Sequence, residues 1–139
     1  TNIPFRWIDQ GAVEGLVIAE TPYRQAAGLI EVALKQHISD RTNWRKMLTN
    51  DIVQDTLEST ANLLMDKIPE ELKEYIVHRD KTIINFPVLS YPEKVSSLKL
   101  EKTPIIEEKL IGIKGQYLIF EHGKVINLRS HAGYLVSIE

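Results

Sequence analysis

Two stretches of the chain repeat apolar residues at intervals of three and four, the spacing that lines them along one face of an α-helix. The first takes in Ala26, Leu29, Ile30, Ala33, Leu34 and Ile38. Thr21 stands ahead of it as a cap, with Pro22 in first-turn position, so the pattern predicts a helix from there to about Ser39. The second takes in Ile52, Val53, Leu57, Ala61, Leu64, Met65 and Ile68 and predicts a helix over residues 52–68, with an acidic outer face. Shorter helices are expected over Pro4–Gln10, stopped by Gly11, and over Asn43–Leu48, capped by Thr42 or Asn43. Pro69, Glu70 and Glu71 suit the opening of one more, through Leu72 to about Val77.

Elsewhere the pattern is that of strands. Val13–Ala19 is a short apolar run of the kind buried on both faces. Past Arg79 the chain is strand-like, beginning with Thr82–Leu89, where Pro87 marks an edge or bend. Further strands are expected over Leu98–Leu100, Ile105–Ile113, Tyr117–Glu121, Val125–Leu128 and Tyr134–Ile138. Glu121-His122-Gly123 signals a hairpin, and Gly133 a turn. Helices first and strands second predict an α+β fold: a mostly helical part over residues 1–80 with one strand, then a small antiparallel β domain over residues 81–139, a meander or small barrel.

Composition narrows the classes. With 139 residues, 43% of them hydrophobic and 26% charged, the chain can bury a sizeable core and is neither disordered nor fibrous. Its formal net charge of −2 means that any nucleic acid must be met by a local patch and not by a global field. The middle of the chain carries the acidic excess and both ends are near neutral or mildly basic. No cysteine is present, which excludes disulfides, thiolate metal sites and cysteine nucleophiles within these residues. There is no apolar run of the roughly 20 residues needed to span a bilayer and no secretory leader, so the expectation is a soluble cytoplasmic protein without membrane contact.

Few residues carry chemistry on their own. His37, His78, His122 and His131 are scattered, with no third ligand at metal-binding spacing. Gly112, Gly115, Gly123 and Gly133 sit among strands, where turns and bulges use them, although Gly112-Ile-Lys-Gly115 could present Lys114 and its neighbouring amides to an anion. The most suggestive cluster is Arg41-Thr-Asn-Trp-Arg-Lys46, three cations around one indole. Two readings stay open there: Trp44 stacks a base while Arg41, Arg45 and Lys46 hold phosphate, or Trp44 anchors a short helix and the cations are solvated. Arg6, near Asp9, and Glu31, at the rim of a buried helix face, draw notice only if something unites them at a phosphate.

Two stretches carry a family resemblance. One is Ile3-Pro-Phe-Arg-Trp-Ile-Asp-Gln-Gly-Ala12 with Pro22-Tyr-Arg-Gln-Ala-Ala-Gly-Leu-Ile-Glu-Val-Ala-Leu34; the other is Gly112-Ile-Lys-Gly-Gln-Tyr-Leu-Ile-Phe120 with Asn127-Leu-Arg129 and His131-Ala-Gly-Tyr134. Over nearly its whole length the chain resembles a prokaryotic family labelled a domain of unknown function. That family begins with a cysteine-rich ribbon and two strands similar to the start of a GIY-YIG nuclease core. The resemblance therefore implies a truncated GIY-YIG-like strand and helix unit at the front of this chain. By position, Arg6 resembles the phosphate-contacting arginine of those nucleases, and Glu31 the glutamate that binds a divalent metal. A carboxylate with waters suits Mg²⁺, and a guanidinium suits developing phosphoryl charge. The tyrosine-bearing first strands are missing here, so this chain is not expected to cleave, to need a cofactor or to hold Mg²⁺ by itself; those belong to a longer parent.

Three functions are weighed. The first is binding of DNA or RNA through Arg6, Arg24, Arg41, Arg45 and Lys46, with Trp44 as the stacking indole of that cluster and with Lys114 and Arg129 assisting from the strand half. The second is docking of a protein partner on the acidic helix over residues 52–68 through Asp55, Glu58 and Asp66. The third is metal-dependent cleavage by the parent, with Arg6 and Glu31 as catalytic residues and Glu31 as metal ligand.

Overall fold

Each apolar stripe becomes a helix that ends where its side chains stop finding something to pack on. The computed structural model describes residues 3–53 and 56–139. Its α-helices are α1 (Ile3–Asp9), α2 (Arg24–Leu34), α3 (Trp44–Thr49) and α4 (Leu57–Asp66). The helix predicted from Thr21 starts later, because Tyr23 is extended at the N-cap and the Thr21 hydroxyl donates to the Tyr23 carbonyl (3.1 Å) instead of accepting from helix amides. It stops at Leu34, and the last member of the stripe, Ile38, is exposed. The second stripe is also cut short at its front. Ile52 and Val53 lie outside any helix, Val53 being 81% exposed, and α4 turns Ala61 and Met65 inward. Residues 54 and 55 fall outside the described residues, and with them the Asp55 of the proposed acidic face. Behind Pro69 the expected helix is a 3-10 helix over Glu70–Tyr75.

The strands are β1 (Glu14–Gly15), β2 (Thr82–Ile83), β3 (Ser96–Ser97), β4 (Leu110–Lys114), β5 (Tyr117–Phe120) and β6 (Lys124–Asn127). The architecture is α+β, as the pattern predicts. β5 and β6 match the expected strands to within a residue. Other runs shrink, because a strand needs a partner as well as a propensity. Of Thr82–Leu89 only Thr82–Ile83 remains a strand, and Leu98–Leu100 gives way to Ser96–Ser97, where pairing with β6 occurs. The Ile105–Ile113 run begins only at Leu110, and Tyr134–Ile138 forms no strand, with Leu135 101% exposed.

The chain forms two compact units, Thr1–Val13 with Asn43–Ile52 and Asn85–Glu139, and Glu14–Thr42 with Val53–Ile84. They interleave along the sequence. In the second of these units, Ala26 and Ile30 of α2 pack with Ile68 and Leu72, supported by Ala19, Leu34, Tyr75 and Ile76. β1 pairs antiparallel with β2, and farther along the Glu20 amide donates to Tyr75 and the Val77 amide to Ile18 (2.9 and 3.1 Å). Lys81 lies between Glu14 and Glu58 (3.4 and 3.2 Å), while Arg79 grips both carboxylate oxygens of Glu20.

The other unit holds the four-stranded sheet, in the order β3-β6-β5-β4, with β3 parallel to β6 and the remaining pairs antiparallel. The outer edge of β4 is covered by residues 87–89: Leu89 donates to Ile111, and Ile113 to Pro87 (2.9 and 3.0 Å). Leu48 of α3 joins Ile119 and Val125 in the sheet's core. A two-residue turn at Gly115-Gln116 links β4 to β5. Gly115 has φ +58°, and a Cβ placed there would lie 2.7 Å from the Asp9 carbonyl oxygen at the end of α1. That contact and Leu48 draw the two early segments into the unit of the late strands. Among the described residues no helix is long and apolar enough to cross a membrane.

Two predictions follow from these packing relations. Gly115→Ala is expected to lower stability by about 2 kcal/mol or more, from left-handed strain plus the carbonyl clash. Gly28→Ala, inside α2 with open space around it, should raise stability by about 0.5–1 kcal/mol; urea unfolding of both variants checks the contrast. The second concerns Glu58, whose carboxyl is held below the usual range by its own backbone N–H and then by Lys81. A carboxyl depressed on folding adds stability above its unfolded pKa and loses it as pH falls through the folded value. The gap in melting temperature between the native chain and Lys81→Met should therefore narrow as pH drops from about 7 to about 3, as followed by circular dichroism.

Candidate functional site

α3 is too short, at six residues, to hold itself together in water, so its ends and its packing must fix it. At the N-terminus the Asn43 side chain accepts from the Lys46 amide (3.2 Å). At the C-terminus Asn50 takes the left-handed conformation, φ 56°, and closes the last turn. One edge of α3 then meets the β4–β5 hairpin. The Trp44 indole lies parallel to the Tyr117 ring, centroids 5.9 Å apart and planes within 8°. The Arg45 guanidinium carbon sits 4.3 Å from the centre of the same indole. Tyr117 Oη in turn accepts from Asn127 Nδ2 (3.2 Å), and the Asn127 Oδ1 accepts from the Arg129 amide (3.0 Å). A guanidinium, an indole, a phenol and an amide thus form one connected series along α3, β5 and β6.

Lys114 belongs to the same hairpin and points the other way from the expectation. It is 0% exposed. Its Nζ donates to the Met47 carbonyl (2.9 Å) and to Asn50 Oδ1 (3.1 Å), and lies 4.7 Å from the Tyr91 ring centre and 5.6 Å from that of Phe86. Burial pushes its pKa down. The idea that Lys114 offers itself to an anion at the surface is corrected by this geometry: the ammonium is enclosed and its hydrogens are directed to the end of α3. A tight turn accounts for Gly115, while at Gly112, within β4, a Cβ would meet Val88 at 2.9 Å.

The remaining candidates are spread over both units. Arg6, Trp44, Arg45, Lys46 and Arg129 share a unit with Lys114; Arg24, Glu31 and Arg41 belong to the other. Arg6, Arg24, Arg41, Arg45, Lys46 and Arg129 are all exposed. Among the described residues none of these six forms a salt bridge, in contrast to Lys35, Lys73, Arg79, Lys81, Lys109 and Lys124. Glu31 is paired with Lys35 (3.3 Å), which also reaches Asp40 (3.4 Å), and both carboxylates raise the lysine's pKa. Arg6 and Glu31 lie in different units. Among the described residues no group of three or more His, Asp or Glu side chains is placed to hold a metal ion.

Tyr117, Asn50 and Asn127 are the residues that the sequence pattern did not single out. Tyr117 had a signal available. It stands two residues past Gly115, so a tight turn makes it the cross-strand partner of Lys114, as it is. Asn50 had a weaker one, since Asn commonly takes the left-handed position that ends a helix. No curated protein and no solved structure matches the chain. A family model described as a protein of unknown function, DUF2797, matches residues 1–136, and on that match this chain belongs to the DUF2797 family.

Proposed function

We propose that the chain is a nucleic-acid-binding module that contacts single-stranded DNA or RNA along α3 and the β4–β5 hairpin. The observation that carries this reading is the stack of Arg45 on Trp44 on Tyr117, with Lys46 exposed beside it. A guanidinium held over an indole combines phosphate-binding charge with a π surface, and base stacking on such a surface is worth about 1–3 kcal/mol per base. Arg45, Lys46 and Arg129 make no salt bridge among the described residues, so no acidic neighbour competes for them there. Arg6, in the same unit, is an exposed cation that would add a phosphate contact. With a net charge of −2 the attraction must be local, which makes binding strongly salt-dependent.

The GIY-YIG likeness of the front part is a proposal about fold ancestry. It is supported by the order α1, β1, α2 with Arg6 on the first helix and Glu31 on the second. Cleavage draws no such support, since α1 and α2 belong to different units and the Glu31 carboxylate is paired with Lys35.

The test is titration of labelled single-stranded DNA, branched DNA and RNA, followed by anisotropy at low and moderate salt. Binding should weaken steeply with salt, and Arg45→Glu with Lys46→Glu should cut affinity by roughly tenfold or more through lost phosphate contacts. Flat titrations in every condition would reduce the stack to packing. The protein-partner reading, resting on exposed Glu58 and Asp66 of α4, would then take its place.

A further inference from the structure

A buried lysine with no carboxylate beside it is a costly choice wherever an apolar side chain would fill the same space. In this unit Lys114 fills such a place, and what it touches explains its use. The last carbonyls of a helix have no partners within the helix, and a cation satisfies them well. Lys114 Nζ serves the Met47 carbonyl and, through Asn50 Oδ1, the residue that closes α3. Directly across the hairpin, Tyr117 pairs with Lys114 in the strand register and stacks on Trp44, the first residue of α3. One rigid turn therefore grips the short helix at both ends: by a hydrogen-bonded ammonium at its C-terminus and by a ring at its N-terminus. A third support comes from α1. The Gly115 backbone is seated on Asp9 and Gly11, and a Cβ at Gly11 would collide with Met47 Sδ at 2.5 Å.

We infer that Lys114 is a positioning residue for the interface proposed above, which sets the Trp44–Arg45 stack by fastening the end of α3 and makes no phosphate contact of its own. This rests on the nucleic-acid reading for its purpose, and on geometry alone for its mechanism. The two are separated by one readout without nucleic acid and one with it.

The first readout uses a Trp7→Phe background, in which Trp44 is the remaining tryptophan. Lys114→Met keeps the volume and removes the donor. Trp44 emission is expected to shift to the red and its quenching by acrylamide to rise, while far-UV circular dichroism and cooperative melting persist. Should Lys114→Met fail to fold, Asn50→Gly removes only the Oδ1 acceptor, because glycine accepts the left-handed backbone, and it should give a smaller shift of the same sign. Unchanged Trp44 emission and quenching in the folded variants would overturn the inference.

The second readout is a double-mutant cycle on single-stranded DNA. Lys114→Met should weaken binding several-fold in the native chain and add little in Arg45→Ala, because the cation it places is already gone. An equal loss in both backgrounds, or no loss in either, would overturn the inference. If the native chain binds no nucleic acid at all, the functional reading fails and the Trp44 emission still decides whether Lys114 positions the helix.

Discussion

Around the Lys114 ammonium, three separate parts of the chain are held in one unit. Its alkyl stem leaves β4, its nitrogen donates to the Met47 carbonyl near the C-terminus of α3, which also accepts from the Asn50 amide, and the rings of Tyr91 and Phe86 stand near it. Among the described residues no carboxylate pairs with it, so the group is stabilised by dipoles and π faces. Such an arrangement tolerates little displacement, since each acceptor must stay within reach of the same nitrogen. The Gly115 turn enforces this, because its backbone lies too close to Asp9 for any side chain to separate them.

The other cations include two kinds. Lys35, Lys73, Arg79 and Lys81 belong to ion pairs that join neighbouring turns or strands of one unit. Surface pairs of this sort contribute modestly and fade with salt. Arg45 is of the other kind, resting on an aromatic face and leaving its hydrogen-bonding edge to solvent or ligand. The unit with the sheet thus combines a rigid aromatic support with Arg45, Lys46 and Arg129, which form no salt bridge among the described residues, although the chain as a whole is slightly acidic.

How far the sequence was legible depended on whether the deciding information was local. The stripes of α2 and α4 were readable because three- and four-residue spacing reports a buried helix face. Their ends were not, because Ile38, Ile52 and Val53 keep the spacing while lying at the exposed surface outside any helix. β5 and β6 were readable since each is bounded by a turn and flanked by partners. Tyr134–Ile138 has the same composition and no partner. Of the candidate site, the Arg–Trp cluster was visible and its aromatic support was not. In β4 the polarity rule inverts, with Ile113 exposed and Lys114 enclosed; only the helix end packed beneath the strand explains that reversal.

The interleaving of the two units along the sequence carries a consequence for how the chain is made. Residues up to Val13 and Asn43–Ile52 leave the ribosome long before their partners in Asn85–Glu139. Ile84, the last residue of the other unit, is also synthesised before those partners, so that unit can close first. Leu48 and Met47 must then wait, uncovered, for the strands that bury them. Closing the sheet unit requires joining segments far apart in sequence, which slows folding. During synthesis, the short stretch that ends as the stacked platform therefore keeps Leu48 unpacked until the late strands have formed.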